Sequence, residues 1–367
     1  MKLHMPVRMF SGDGAVSDHA ALFEAFGSRC ALVTGKGAAV KSGALADVTA
    51  VLDRAGIPFC VFDGIEQNPS VRSCIAAGQR AHAFGAAFIV GIGGGSALDA
   101  AKAAAVFAAN PGLDEEGFYR KAWENSPLPL LLVGTTAGTG SEVTKVSVLT
   151  DSRGRKHSIH DDRLFAAASF GDPKYTAALP RAITLSTGID VLCHCAESWF
   201  NRNADELSRA YALQGIRLLF PPLQQAALGR DLGHGERAAL YDASLLGGLA
   251  ICETGTCFPH NVGYYLTETR GIPHGFASAC FLPALLDITQ EKAPAWADRF
   301  FRELGIARGE LLQLISLCLP ETGITMTAEE IDAALPRWEN NNSVRNTCCE
   351  VSSAEIREIL CALFLKN

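Results

Sequence analysis

Side chains that commonly bind divalent metal ions occur in three segments of the second half of the chain. Asp190 and His194 have the i, i+4 spacing that places two side chains on one face of a helix. Further along stand His260 and His274, the latter between Pro273 and Gly275. One carboxylate and three imidazoles suit a single borderline ion such as Fe²⁺ or Zn²⁺. Taken singly, each residue is also explained as a helix-surface pair or a loop histidine, so the prediction needs all four together.

A glycine-rich segment in the first half has the pattern of a phosphate cradle. An apolar run over 87–91 leads into Gly94, Gly95 and Ser96 and then into an alanine-rich helical stretch. Backbone N–H groups at a helix N-terminus attract an anion, and glycine lets the backbone approach it closely. Ser96 and Asp99 have capping-box spacing, which predicts that they fix the start of this helix. The pattern departs from G-x-G-x-x-G at Ser96, and a tight turn that only packs helix on strand remains the alternative.

Two further polar segments follow predicted strands. Residues 134–143 contain Thr135, Thr136 and Thr139 among glycines, and residues 34–37 contain Gly35 and Lys36. Open α/β sheets bind ligands at the carboxyl ends of their strands, so both segments are candidate ligand contacts. A well-hydrated turn is the alternative.

The elements around these segments predict two domains. Residues 1–178 alternate apolar runs with helical stretches, which is typical of a parallel sheet covered by helices in a Rossmann-like, dinucleotide-binding α/β domain. The predicted strands are Cys30–Thr34, Pro58–Phe62, Ala87–Gly91 and Leu130–Val133. Residues 179–367 have helical patterns almost throughout and predict an all-helical domain. Capping boxes are predicted near its end, at Thr327 with Glu330 and at Ser352 with Glu355.

The composition excludes several classes of partner. The 367 residues carry a net charge of −7, so a nucleic-acid partner is not expected. No apolar run is long enough for a membrane span, and the start lacks the apolar core of a signal peptide. The 12 cysteines are spread along the chain and are interpreted as reduced thiols. We therefore expect a soluble, cytoplasmic, globular protein.

Taken together, these ordered segments resemble the iron-containing (group III) alcohol dehydrogenase family over nearly the whole chain. The resemblance also includes Lys102 and the Asp172-Pro173 pair. It implies a metal site in the cleft between the two domains and a homodimer. Its implied metal ligands are Asp190, His194, His260 and His274. Its implied reaction is hydride transfer between NAD(P)(H) and a small primary alcohol or aldehyde, with the chemistry assigned to the metal and no side chain assigned as acid or base.

The resemblance also implies a set of cofactor contacts. These residues are Gly35, Lys36, Asn68, Gly94, Gly95, Ser96, Asp99, Thr135, Thr136, Thr139 and Lys156.

Two positions depart from the family pattern. Many members have a second histidine four residues after the third metal ligand, where this chain has Tyr264, so a proton relay there is in doubt. NAD-preferring relatives often have an acidic residue at the end of the first predicted strand, where this chain has Gly35 followed by Lys36. Loss of the carboxylate and gain of a cation predict a preference for NADP(H).

Two other interpretations of the sequence remain open. A dehydroquinate-synthase-like or glycerol-dehydrogenase-like enzyme, usually with zinc, would use a similar scaffold. A nucleotide-binding protein that has lost catalytic activity would lack at least one of the four metal ligands, whereas all four are present.

Overall fold

A six-stranded parallel sheet and an extended set of helices confirm the predicted fold class. The computed structural model describes residues 4–365. The sheet has the order β1-β8-β5-β4-β2-β3, and β6 pairs with β7 in a separate antiparallel hairpin. The strands are β1 Arg8–Ser11, β2 Cys30–Gly35, β3 Phe59–Ile65, β4 Phe88–Gly93, β5 Leu130–Gly134, β6 Val146–Thr150, β7 Lys156–His160 and β8 Ala168–Gly171.

All four strands predicted from apolar runs are present, and they form the contiguous set β5-β4-β2-β3. Strands β1 and β8 and the β6–β7 hairpin were not predicted from the sequence. β1 and β8 are four residues each and pair with one another in parallel, a contact between distant parts of the chain. Such short segments give little local signal, because their stability depends on the neighbouring strand.

Helices cover both faces of this sheet. The first six are α1 Ala21–Glu24, α2 Ala38–Lys41, α3 Ala44–Arg54, α4 Val71–Phe84, α5 Gly95–Ala109 and α6 Glu115–Tyr119. On one face, Leu32 and Val90 join Val48 and Val51 of α3 in a buried apolar core. On the other face α5 lies so close to β4 that a Cβ atom on Gly91 would lie 2.5 Å from that of Ala101.

The described chain divides into two compact units. The first contains residues 4–180 together with 232–248, and the second contains 181–231 and the chain from 249 onward. Residues 232–248 belong to the first unit because they pack on the segment after β5: the Tyr241 hydroxyl donates to Glu142 Oε1 at 2.7 Å. In the same unit, Gly248 Cα lies 2.6 Å from where a Cβ atom of Gly140 would be.

The second unit is built from helices. In chain order, the helices after β8 are α7 Arg181–Trp199, α8 Glu206–Ala227, α9 His234–Thr254, α10 Phe258–Arg270, α11 His274–Ala279, α12 Leu282–Lys292, α13 Pro294–Leu304, α14 Arg308–Cys318, α15 Ala328–Ala334, α16 Asn342–Arg345 and α17 Ser353–Phe364. The first part of α9, up to Gly248, lies in the other unit. The predicted capping boxes at Thr327 and Ser352 are present at the starts of α15 and α17. Within residues 4–365, no helix has both the length and the apolar character needed to cross a bilayer.

Candidate functional site

Helix α7 provides two of the predicted metal ligands on one face. Asp190 and His194 are both buried, and His194 Nε2 lies 3.9 Å from Asp190 Oδ2. Glu197 continues the same face one turn further on and is fully buried. Glu197 was not among the residues predicted from the sequence, although its i, i+4, i+7 spacing with Asp190 and His194 was a signal that could have found it.

Helices α10 and α11 bring the other two histidines to the same carboxylate. His260 Nε2 lies 3.5 Å and His274 Nε2 lies 3.8 Å from Asp190 Oδ1. The donor atoms of Asp190, His260 and His274 all lie within 4.8 Å of one another. His194 adds a fourth ring, stacked on His260 with a centroid distance of 4.8 Å. The structure thus brings all four predicted side chains into one cluster.

Two glycines allow α7, α10 and α11 to approach one another closely enough to form the cluster. A Cβ atom on Gly275 of α11 would lie 1.8 Å from the Ser186 carbonyl oxygen in α7. A Cβ atom on Gly263 of α10 would lie 2.7 Å from the Ala277 carbonyl oxygen in α11. Real Cβ atoms do not occur at such distances, so glycine is required for the backbone contacts that hold the cluster together.

The electrostatics of the cluster are those of a cation site. Burial by itself would raise the pKa of Asp190, but the surrounding imidazoles of His194, His274 and His260 hold it well below its ordinary value. Burial opposes a charge on His260 as well, yet Glu197 and Asp190 raise its pKa to about 10. Among the described residues, Asp190 Oδ1 and His260 Nε2 are buried atoms without a hydrogen-bond partner. Buried polar atoms are rarely left so, and these two lie 3.5 Å apart with a ring nitrogen of His274 nearby, so the residues fit a bound divalent ion.

Glu197 connects the cluster to the start of α10. Its Oε1 accepts from His260 Nδ1 at 2.5 Å, and its Oε2 accepts from the Cys257 amide at 2.7 Å. The carboxylate therefore contacts the side of the His260 ring opposite to Asp190.

Tyr264, the departure from the family pattern, lies against His274, one of the predicted metal ligands. Its ring stacks on that of His274 with a centroid distance of 5.1 Å and an interplanar angle of 20°. His274 is 23% exposed, whereas the side chains of Asp190, His194 and His260 are at most 5% exposed. The accessible side of the cluster is therefore the side of His274.

In the first unit, the glycine-rich and threonine-rich segments pack against each other. β4 and β5 are parallel neighbours, so their carboxyl ends meet at one edge of the sheet. A Cβ atom on Gly94 would lie 2.9 Å from Thr136 Oγ1, and one on Gly95 would lie 2.7 Å from Thr139 Oγ1. Helix α5 starts at Gly95, so its N-terminal amides point toward this edge.

The predicted capping box at Ser96 and Asp99 is wrong. The residue before α5 is Gly94, and no side chain caps the helix. Ser96 Oγ instead accepts from the Asn68 amide at 3.2 Å, and Asn68 has a positive φ of 55°. The Asn68 carbonyl accepts from Thr150 Oγ1 at 2.9 Å. The Ser96 hydroxyl, which the local spacing assigned to helix capping, is therefore hydrogen-bonded to Asn68 instead.

Asp99 and Lys102 form a buried network behind this edge. Asp99 Oδ1 accepts from Ser141 Oγ at 2.6 Å and Oδ2 accepts from the Val148 amide at 2.9 Å. Lys102 Nζ is fully buried and donates to the Ser141 carbonyl at 2.8 Å and to the Val146 carbonyl at 2.8 Å. The Asp99 carboxylate, a predicted cofactor contact, thus holds the segment after β5 in place.

The remaining predicted cofactor residues lie near the same strand ends. Thr135 directly follows β5, and its buried Oγ1 has no hydrogen-bond partner among the described residues. Burial raises the pKa of the Asp99 carboxyl, and Lys156 at the start of β7 is close enough to act in the opposite sense. Gly35 ends β2, the parallel neighbour of β4, and Lys36 after it is exposed.

A parallel sheet with glycine-rich loops at its strand ends, in a chain with a buried carboxylate–imidazole cluster on helices, is typical of a nucleotide-binding protein with a candidate metal site. Comparison with known proteins identifies the family of this chain. The profile of iron-containing alcohol dehydrogenases matches residues 6–173, and that of the C-terminal region of the Fe-containing alcohol dehydrogenase family matches residues 184–330. The chain belongs to the iron-containing alcohol dehydrogenase family, and it is an oxidoreductase acting on CH–OH groups.

Three similar proteins illustrate the family. The 1,3-propanediol dehydrogenase of Klebsiella pneumoniae is 36% identical over 263 residues, which is 70% of this chain and 67% of that protein. The structure of an iron-containing alcohol dehydrogenase from Thermotoga maritima is 32% identical, with a TM-score of 0.88 and 98% of both chains covered. The structure of a sulfoacetaldehyde reductase from Bifidobacterium kashiwanohense in complex with NAD⁺ is 27% identical, with a TM-score of 0.89 over 99% of this chain and 98% of that chain.

Proposed function

We propose that this protein interconverts a small aldehyde and its primary alcohol with NADP(H) and one divalent ion, Fe²⁺, held by Asp190, His194, His260 and His274. The observation that carries the proposal is the buried donor cluster, in which Asp190 Oδ1 and His260 Nε2 face each other at 3.5 Å without hydrogen-bond partners among the described residues. A donor set of one oxygen and three nitrogens accommodates Fe²⁺ and also Zn²⁺.

The residues of the cluster have separable roles in this reaction. When bound, the ion supplies Lewis acidity to the substrate oxygen, and the nicotinamide supplies or accepts the hydride. Asp190 offsets only part of the charge of a divalent ion, so the donor set leaves positive charge for a substrate oxygen. The side of His274, which is 23% exposed, is where a substrate would approach, and the Tyr264 ring bounds that side.

The first unit would bind the dinucleotide through the strand ends. Gly94, Gly95 and the start of α5 would cradle the pyrophosphate, with Thr136 and Thr139 packed on the glycines. The unpartnered Thr135 Oγ1 supports a ligand at this edge. Lys102 and Asp99 would hold the loop after β5 in place, since their charged groups are bonded to Ser141 and Val148.

The preference for NADP(H) is proposed from the end of β2. Gly35 has no carboxylate to hold the ribose hydroxyls or repel a 2′-phosphate, and the exposed Lys36 offers a cation. The sulfoacetaldehyde reductase structure contains NAD⁺, so the two cofactors must be compared directly. A higher kcat/KM for NADPH than for NADH is the expected result, and a preference for NADH would overturn this part.

The metal assignment is tested with protein purified and loaded with Fe²⁺ without oxygen. Aldehydes with and without anionic groups are screened with NADPH, and metal content is measured for Asp190→Ala and His274→Ala. Both variants should lose metal and turnover together. His234→Ala, which changes a 58% exposed histidine outside the cluster, is the matched control and should keep both. Retention of metal and turnover in either cluster variant would refute the proposal.

The identity of the ion has its own test. Ferrous enzyme should lose activity in air, whereas a native zinc enzyme should not. A homodimer and a cytoplasmic location remain predictions, which sedimentation equilibrium and cell fractionation would check.

A further inference from the structure

Glu197 is a fully buried carboxylate that belongs to the metal-facing side of α7 without being one of the four proposed ligands. It lies three residues after His194 and seven after Asp190, so the helical repeat turns all three to one face. A buried carboxylate requires hydrogen-bond donors, because leaving it unpaired in a dry interior is costly.

The two donors that Glu197 uses both belong to the start of α10. His260 Nδ1 donates to Oε1 at 2.5 Å, and the Cys257 amide donates to Oε2 at 2.7 Å. Cys257 directly precedes α10, and His260 is in its first turn. The Glu197 carboxylate thus fixes both the start of α10 and the ring of His260. It also places negative charge at a helix N-terminus, which is favourable.

This arrangement determines which nitrogen of His260 faces the donor cluster. With one proton held on Nδ1, Nε2 is the nitrogen that faces the cluster, 3.5 Å from Asp190 Oδ1, and its lone pair would bind the ion once a metal displaces the Nε2 proton. We propose that Glu197 is a positioning residue of the metal centre: it holds His260 in the ring orientation and tautomer that bind the ion. The proposal rests on the metal site proposed above. The imidazole that Glu197 bonds is that of His260, so its effect on the ion is exerted through this one ligand.

The test measures binding of Co²⁺ alone to the full-length, metal-free protein. The variants are Glu197→Gln and Glu197→Ala. The glutamine has the same shape, but its amide presents oxygen to only one of the two donors and NH₂ to the other. Glu142→Gln is the matched control, because Glu142 is an equally buried glutamate, hydrogen-bonded to Tyr241 in the other unit. Circular dichroism and thermal unfolding establish which variants are folded.

We expect Glu197→Gln to bind Co²⁺ about tenfold to a hundredfold more weakly than the unaltered protein, as is usual when the partner of a ligating histidine is changed. At saturating Co²⁺ its d–d absorption bands should also shift, because the ring geometry differs. A variant that is merely less well folded would bind less metal with an unchanged spectrum. Glu142→Gln should keep both the dissociation constant and the spectrum.

The outcomes separate this proposal from the one it rests on. If the unaltered protein binds no Co²⁺, or if Asp190→Ala binds Co²⁺ as tightly as the unaltered protein, the metal site itself is refuted. If that site exists but folded Glu197→Gln shows the original dissociation constant and the original spectrum, the positioning role is refuted and the proposed function stands. Glu197→Gln keeps the test decisive even if Glu197→Ala does not fold.

Discussion

Gly275 of α11 contacts the backbone of Ser186 in α7 so closely that a Cβ atom on Gly275 would lie 1.8 Å from the Ser186 carbonyl oxygen. The same Cβ atom would lie 3.0 Å from Cβ of Asp190. Because His274 directly precedes Gly275, this contact sets how near His274 lies to the carboxylate.

Gly275→Ala should therefore disrupt the proposed metal centre without removing any of its four proposed ligands. The added methyl must push α11 away from α7, and overpacking of this kind costs about 1–3 kcal/mol. We expect a lower melting temperature and substoichiometric metal by elemental analysis. Gly309→Ala is the control, since nothing lies within 4 Å of its Cβ position, and it should change stability by less than about 1 kcal/mol. Full metal content and unchanged melting of Gly275→Ala would contradict this account.

Tyr264 is expected to orient His274 by stacking. The ring centroids lie 5.1 Å apart, and such contacts contribute about 0.5–1.5 kcal/mol beyond burial. Tyr264→Ala should weaken metal binding by roughly twofold to tenfold, which is that energy converted to affinity. Tyr264→Phe keeps the ring and should keep the affinity, measured by chelator competition.

The same phenylalanine variant tests a proton role. If Tyr264→Phe changes the pH profile of kcat while metal binding is unaltered, the hydroxyl takes part in proton transfer and stacking is not its whole function. An unchanged rate and profile would exclude that role.

Gly35→Asp should shift cofactor choice toward NADH. A carboxylate at the end of β2 would repel a 2′-phosphate, and like charges brought together cost several kcal/mol. The ratio of kcat/KM for NADPH to that for NADH is the measurement, and it should fall. A Cβ atom here would lie 3.1 Å from the Ile65 carbonyl oxygen, so any side chain crowds the strand. Gly35→Asn has the same crowding without the charge and should leave the ratio nearly unchanged; an equal shift in both variants would contradict the electrostatic explanation.

Glu142 should make folding stability pH-dependent. Burial raises the pKa of this carboxyl above its ordinary value of 4.5, although the Tyr241 hydroxyl bonded to it acts in the opposite sense. A raised folded-state pKa means that the protonated form is the better tolerated one, so stability is lost as pH rises through the folded pKa.

Glu142→Gln removes this titration and keeps an acceptor for Tyr241. We expect its melting temperature relative to the unaltered protein to rise as pH increases above about 4.5, because the raised pKa of Glu142 makes its ionisation destabilising there. Glu142→Ala leaves the buried hydroxyl unpaired and should cost about 1–3 kcal/mol at every pH. A constant difference between the glutamine variant and the unaltered protein across this range would show that Glu142 is not responsible.

Local patterns in the sequence were sufficient for part of the fold. β2, β4 and β5 were predicted because continuous apolar runs mark strands buried on both faces, and β3, a partly exposed edge strand, was predicted from its β-rich run. β1 and β8 were missed, since each is four residues long and pairs with distant segments: β1 with β8, and β8 with both β1 and β5. The predicted capping box at Ser96 does not form, because the Asn68 amide donates to the Ser96 hydroxyl. Asn68 lies 28 residues earlier in the chain, whereas capping rules consider only residues a few positions apart.

The sequence by itself determined which side chains the candidate site contains: one carboxylate and three imidazoles, with Asp190 and His194 on one face of a helix. The helical repeat is a local property, so the same reasoning would have included Glu197. Only the tertiary structure decided that His260 and His274 reach the same oxygen of Asp190, and that Glu197 bonds His260. Those contacts depend on three helices packing at distances set by Gly263 and Gly275, and packing between distant segments leaves no periodic signal in the chain.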